Sequence, residues 1–197
     1  MIQSSPKEGG RAKLHSRRYP LPGDKFTTYE LNWFNLRKRL QSKPKVGLID
    51  FRSPRLRWTR DGTKFRYEKI DRGHQRFRVI EFDVSTGAHR NIVDEKTDTF
   101  IWTEHALRLG MPKVNWLLNH REILYFSEKD GHRHIYLIDI ASGTMKAVTQ
   151  GEFVVRHVDR IDENKRQVWF RASGRNPGQD PYLIHYYRIN FDGTGLV

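Results

Sequence analysis

Three stretches of this chain repeat one layout, and that repetition limits the possible fold more than any other feature. Residues Pro54–Glu95, Val114–Gly151 and Val154–Gly195 each open on an apolar strand, pass a polar turn and rise to a hydrophobic run. Each run closes on an aspartate just before a glycine-containing turn: Phe77–Asp83, Ile135–Asp139 and Tyr187–Asp192. The aspartates stand 139 − 83 = 56 and 192 − 139 = 53 residues apart. Sheet units recurring at roughly 40–50 residues are the sequence mark of a β-propeller. The expected fold is therefore all-β: a partial propeller of about three four-stranded antiparallel blades plus a fragment of a fourth.

Turn chemistry places the strands inside each unit. Asp61-Gly62 supplies the positive φ that a tight hairpin needs. Strands are expected over Arg55–Trp58, Phe65–Tyr67, Gln75–Asp83 and His89–Val93, then over Val114–Leu118, Ile123–Ser127, His134–Ile140 and Lys146–Thr149. The third unit offers Val154–Ile161, Arg166–Ala172 and Tyr182–Phe191. Ile135–Ile138 is apolar on both faces, as a strand covered by neighbouring blades should be. The expected division is a disordered basic tail over 1–18, an incomplete blade over 19–52 and a blade over 53–95. A loop insert with its blade follows over 96–151, and a last blade over 152–197. Within the incomplete blade, Phe26–Asn35 and Val46–Phe51 read as strands, with Leu36–Lys45 a turn or a short helical excursion.

Charge is distributed unevenly. Residues 1–60 hold 15 Lys/Arg and 4 Asp/Glu, or +11, which leaves 21 against 19, or +2, for the rest. A basic arm can bind nucleic acid by counterion release, but no nucleic-acid motif accompanies it, so a solvated surface that normally faces a removed or acidic partner is the favoured reading. The sequence has no cysteine, which excludes disulfides and thiolate metal sites. It has no apolar run of about 18 residues and no apolar core of a signal peptide near Met1, and the compartment stays open. No cofactor is expected.

Serine hydrolysis needs a nucleophile on a G-x-S-x-G elbow, and none occurs; Ser127, Ser142 and Ser173 fall in strands or turns. The chain is therefore not expected to be an enzyme by itself. His132 and His134 share a strand face near Asp130, but no third ligand is evident, so no metal site is expected. His74 occupies a comparable turn one unit earlier, which points to a repeated structural hydrogen bond. The densest mix of aromatic, acidic and basic groups lies in the insert, at Trp102, Glu104, His105 and Arg108. There Glu104 or Arg108 could hold a charged peptide terminus. The competing structural reading packs Trp102 between blades and pairs Glu104 with Arg108.

Several of these segments resemble one family. Arg57–Lys64 is similar to the W-S-P-D-G-K opening of blades in the prolyl oligopeptidase clan. Glu128–Tyr136 resembles the E-x-D-G-x-x-H-I/L-Y hairpin of the dipeptidyl peptidase IV N-terminal propeller. Thr149–Val155 resembles its T-x-G-x-W-x-V, with Phe153 in place of Trp. The resemblance covers about residues 19–195. It implies a propeller that restricts access to an internal cavity of a serine-type dipeptidyl peptidase, joined to an α/β-hydrolase domain that these residues do not supply. The family's paired-glutamate segment is also missing, since no Glu-Glu dipeptide occurs. The resemblance makes Arg108 the closest candidate for an arginine on the substrate side. The expected partners are then a peptide substrate or a peptidase domain on another segment, and open blades favour self-association. A second reading, a stand-alone interaction module whose basic arm binds an acidic partner or nucleic acid, is kept beside it.

Overall fold

The computed structural model of the chain describes residues 2–16, 21–25, 27–50, 52–103 and 109–197. It is all-β, and among these residues no helix is long and apolar enough to cross a membrane. The strands run in chain order as β1 (Ile2–Ser4), β2 (Lys13–His15), β3 (Trp33–Asn35), β4 (Leu40–Ser42), β5 (Arg57–Trp58), β6 (Lys64–Ile70), β7 (Arg76–Asp83) and β8 (His89–Lys96). They continue as β9 (Val114–Trp116), β10 (Glu122–Ser127), β11 (His134–Asp139), β12 (Met145–Ala147), β13 (Val154–Asp162), β14 (Gln167–Ser173) and β15 (Ile184–Asn190). Two antiparallel four-stranded sheets, β5–β8 and β9–β12, are the first and second blades, and β13–β15 form a three-stranded third blade. Together they make a partial β-propeller.

The repeat is visible in register. The first residue of each blade's second strand faces the last of its third: Lys64 with Asp83, Glu122 with Asp139, and Gln167 with Asn190. The next pair is equally matched, through Val84 N to Thr63 O (2.9 Å), Ile140 N to Arg121 O (2.8 Å) and Phe191 N to Arg166 O (2.9 Å). The structural counterpart of Asp83 and Asp139 is thus Asn190, not the Asp192 that the sequence pattern selects. Turn geometry explains the slide. Asp83 and Asp139 accept hydrogen bonds from turn amides at Ser85 (2.9 Å) and Ser142 (2.7 Å). In the third blade a tighter turn closes from Gly193 N to Asn190 O (2.9 Å), and Asp192 caps it through Thr194 N (2.9 Å).

The N-terminal part differs from expectation. The expected unstructured tail contains the β1–β2 hairpin, with Ile2 opposite His15. Gly9 and Gly10, at φ 79 and 108, reverse the chain there. Backbone pairing of this kind needs no apolar core, so composition does not reveal it. Among the described residues, which leave out Phe26 and Phe51, the expected strand over Phe26–Asn35 is reduced to β3, and the one over Val46–Phe51 contributes one bridge, Ile49 to Tyr29. Leu36–Lys45 is a turn followed by β4, not a helix.

Strand alternation sorts side chains into three buried layers. Ile123 and Tyr125 of β10, with Tyr136 and Ile138 of β11, meet Phe77, Val79, Ile92 and Val93 of the first blade. The opposite faces, Leu124, Phe126 and Ile135, meet Val155, Val168, Phe170 and Ile189 of the third. A bulge opposite Val79 and Ile80 lets the consecutive Ile92 and Val93 enter one layer. The third layer, around Phe65, Tyr67, Ile80 and Phe82, is closed by Ile49 with Trp33 of the incomplete blade.

Charges tie the first blade to the second. Glu81, only 4% exposed, accepts from Arg66 Nε (2.7 Å) and from Arg90 Nε and Nη2 (3.0 and 2.8 Å). Burial alone would raise this carboxyl, but the two guanidiniums hold it below the usual carboxylate range. Arg66 then donates to His120 O (3.2 Å), and Arg90 to Ile140 O (2.7 Å) and Ala141 O (3.1 Å), all in second-blade turns.

Candidate functional site

One end of the blades gathers the turns between second and third strands and the long connections from blade to blade. The insert after β8 lies there. Thr97 N donates to Gln75 O (3.0 Å) and Ile101 N to His74 O (2.7 Å). The His74 ring bonds through Nδ1 to Thr103 Oγ1 (3.0 Å) and lies against Phe100, with ring centroids 5.0 Å apart. These contacts present Trp102 beside the second blade. Of the four residues the sequence singled out, only Trp102 can be placed; Glu104, His105 and Arg108 lie outside the described residues.

Trp102 meets a residue that sequence reasoning missed. The Arg133 guanidinium lies 5.6 Å from the Trp102 ring centroid and 4.8 Å from that of Phe126, and the residue is 7% exposed. It donates through Nη1 to Arg156 O (3.3 Å) and Val155 O (3.4 Å). Burial lowers its pKa, yet an arginine stays charged. A cation held between aromatic faces in this way is strongly attracted to ring density and to any incoming anion or carbonyl.

A second buried cation stands beside it. Lys113 Nζ donates to Phe126 O (2.8 Å) and Glu95 Oε1 (3.3 Å), and lies 4.9 Å from the Tyr125 ring centroid. The Tyr125 hydroxyl donates to Glu95 Oε2. Burial pushes the Lys113 ammonium down while Glu95 opposes it, and burial pushes the Tyr125 phenol well up. Trp102, Lys113, Ser127, Glu128 and Arg133 line a cleft of about 10 Å³, room for one water. Two cations and Glu128 in aromatic surroundings can hold one small polar group. The signal for Arg133 was its place between His132 and His134, just before the apolar run that opens at Ile135; Lys113 just before apolar Val114 carried a weaker one.

Hydroxyls and imidazoles here are occupied structurally. Ser127 is fully buried and accepts from Lys129 N (3.1 Å); Ser173 accepts from Arg156 Nε (2.8 Å); Ser142 donates to Asp139 Oδ1 (2.8 Å). His134 must donate from Nε2 to Gly151 O (2.9 Å), so its Nδ1 accepts from Thr149 Oγ1 (3.1 Å), which itself accepts from Ile135 N (2.9 Å). Burial lowers the pKa of this imidazole. His74 and His134 thus repeat one role, a ring nitrogen bonded to a threonine of the following connection. Among the described residues no group of three or more His, Asp or Glu could hold a metal.

The His134–Thr149–Gly151 relay joins two sequence motifs in space. The His134 ring also stands edge-on to Phe153, centroids 5.0 Å apart, and within the hairpin Tyr136 donates to Asp130 Oδ2 (2.6 Å). The family model described as "Dipeptidyl peptidase IV (DPP IV) N-terminal region" matches residues 1–196. The chain belongs to the dipeptidyl peptidase IV N-terminal region family. Among its relatives, a probable dipeptidyl peptidase 4 of Neosartorya fischeri is 24% identical over 162 residues, covering 79% of this chain and 21% of the relative. Dipeptidyl peptidase 4 of Trichophyton equinum is 21% identical over 179 residues, 89% of this chain and 22% of the relative. The crystal structure of Porphyromonas gingivalis dipeptidyl peptidase 4 superposes with a TM-score of 0.73 at 18% identity, over 99% of this chain and 26% of that one. The chain therefore spans about a fifth of the length of the curated relatives it matches.

Proposed function

We propose that this chain is a non-catalytic propeller portion of a dipeptidyl peptidase IV-like serine peptidase, controlling how peptides reach a hydrolase domain. Family membership supports the reading, and the Trp102–Arg133–Lys113 cluster at the loop end carries it. An incoming peptide places one end group in this water-sized cleft, its ammonium on Glu128 or a carbonyl oxygen on the two cations. Calorimetric titration with an Xaa-Pro peptide tests this. Saturable binding weakened about tenfold by Trp102→Ala is expected, the effect of losing one desolvated cation–π contact. Binding that Trp102→Ala leaves unchanged rejects the site. The chain alone should not turn over an Xaa-Pro chromogenic substrate, and turnover abolished by a serine-directed inhibitor overturns that part.

The partners we propose follow from the same architecture. They are a peptide substrate, a peptidase domain and, for the chain alone, a second copy of itself. Tyr186 and Ile184 on β15, and Phe34 and Leu40 in β3 and β4, are exposed large apolar groups on uncovered sheets. Light scattering should show association rising with concentration; a monomer at high concentration counts against it.

A further inference from the structure

A cavity of about 520 Å³, the size of a ligand pocket, opens between the β3–β4 hairpin and the turns of the first blade. Its first-blade wall includes Gly62 and Ser85, from the β5–β6 and β7–β8 turns, so it lies at the end of the blades opposite the Trp102 cleft. The floor is aromatic. Trp58 packs against Phe65 (ring centroids 5.2 Å apart), Phe65 stacks on Phe82 (5.1 Å) and Phe82 meets Trp33 (5.2 Å), so four rings form a row with a tryptophan at each end. Phe65 and Phe82 are buried and brace the row; both tryptophans line the cavity, and so does Phe34. Trp58 is 47% exposed and Phe34 63%, which leaves ring surface open for a further flat group. Charge is a second, independent observation. Residues 30–45 carry five Lys/Arg and one carboxylate, Glu30, which Lys43 takes. Arg37, Lys38 and Arg39 form the exposed hairpin turn, no ion pair joins them to a described carboxylate, and Lys38 lines the cavity. On the other wall Asp61 and Asp83 neighbour the lining residues in sequence, but each is tied into its own turn. Asp61 accepts from Thr59 Oγ1 (2.6 Å) and Thr63 N (3.1 Å), and Asp83 from Ser85 N (2.9 Å) and Thr86 N (3.1 Å). The positive side of the cavity is therefore the hairpin.

We infer that this cavity binds single-stranded nucleic acid, with one base stacked on the Trp58 side and the flanking phosphates on the Arg37–Arg39 turn. Open aromatic rings beside unpaired cations are what recognises unstacked nucleotides, and because every base has a π-face the site reads no sequence. A duplex keeps its bases inside its own stack and cannot offer one to Trp58. An acidic peptide would satisfy the cations and leave the rings unused. The basic N-terminal third showed the charge without a motif; the aromatic platform that completes it is assembled from β3 and β5, and only folding brings those together. The inference does not depend on the peptide-handling reading, because the cavity shares no residue with the Trp102 cleft.

The test is fluorescence anisotropy of a labelled oligothymidylate with the whole chain across a salt series, with a duplex of the same length and poly-glutamate of equal charge as competitors. Saturable binding of the single strand is expected, with duplex and poly-glutamate each at least about tenfold weaker. Trp58→Ala should weaken binding about tenfold, the loss of one stacked base, and leave the salt dependence as it was. Lys38→Gln should instead flatten the slope of log K against log salt by about 0.7, one phosphate contact on a single strand. Lys165→Gln, on a remote turn, should change neither. Should Trp58→Ala fail to fold, Phe34→Ser, at the more exposed ring, must give the loss in a chain whose circular dichroism is unchanged. Duplex or poly-glutamate binding as tightly assigns the attraction to bulk charge and overturns the inference. Affinity that survives both aromatic substitutions moves the binding to the basic residues elsewhere and overturns it too. No saturation by the single strand also overturns it, and a lower light-scattering mass for Trp58→Ala would then assign the cavity to a second copy of the chain.

Discussion

Between the first and second blades the buried layer holds Phe77, Val79, Tyr125 and Tyr136; between the second and third it holds Leu124, Phe126, Phe170 and Phe191. The two seams are alike in apolar content and unlike in where they keep charge. The first buries Glu81 beneath two guanidiniums and Lys113 against Glu95. The second keeps its main ion pair at the rim, Glu122 to Arg166 at 2.7 and 2.9 Å, with the Arg166 side chain 48% exposed, and inside holds the His134–Thr149 relay and the Arg133 cation, which donates to backbone carbonyls of Val155 and Arg156. A buried carboxylate is stable only while its partners remain, whereas a rim pair can be lost to water. The first seam should therefore tolerate apolar change as well as the second does, and polar change much less.

Urea unfolding of single variants puts this contrast to the test, provided the slope m stays constant. The largest effect belongs to the shared property: Phe170→Ala should cost about 3–5 kcal/mol through the cavity it leaves. Next, Glu81→Ala should cost about 3 kcal/mol, because it strands Arg66 and Arg90 without their carboxylate. A loss no greater than that of Glu122→Ala would erase the distinction between the seams. Thr149→Val should cost about 2 kcal/mol, since it leaves Ile135 N and His134 Nδ1 buried and unpaired. Glu122→Ala should come last, under about 1 kcal/mol.

Acid sharpens the same contrast. The folded pKa of His134 lies below its ordinary value of about 6.5, so the unfolded chain binds the proton first and stability falls as pH drops through that value. The Glu81 pKa is also depressed, so its contribution is present above about 4.3 and is lost only as pH falls further. The second seam should weaken first on acidification and the first seam later. Replacing His134 with Gln should flatten the stability profile between pH 5 and 6.5, measured by chemical unfolding at each pH; an unchanged profile would assign that slope to other histidines.

Much of the architecture was legible in the chain. The unbroken apolar run Ile135–Ile138 announced two covered faces, and both are covered. Asp61-Gly62 announced its hairpin: Gly62 takes φ 68, and Thr59 and Thr63 hold the Asp61 carboxyl at a pKa of about 2. The slide of the third aspartate to Asn190 was hidden because a turn that closes one residue sooner can use the same residue types. In the candidate site, aromatic and charged clustering along the chain led to Trp102. The residues that complete it, Glu95, Lys113 and Arg133, come from β8, the β8–β9 connection and the turn before β11. Only the packing of strands brings them together, and linear proximity carries no trace of that.

The hydrogen-bonded path from Ile135 through Thr149 and His134 to Gly151 has a mechanical meaning. It spans the point where the chain leaves one blade for the next, so a few atoms pin that connection to the second blade above the shared apolar layer. Disturbing Thr149 would be felt as rotation of β13–β15 as a body, with its edge sweeping farthest.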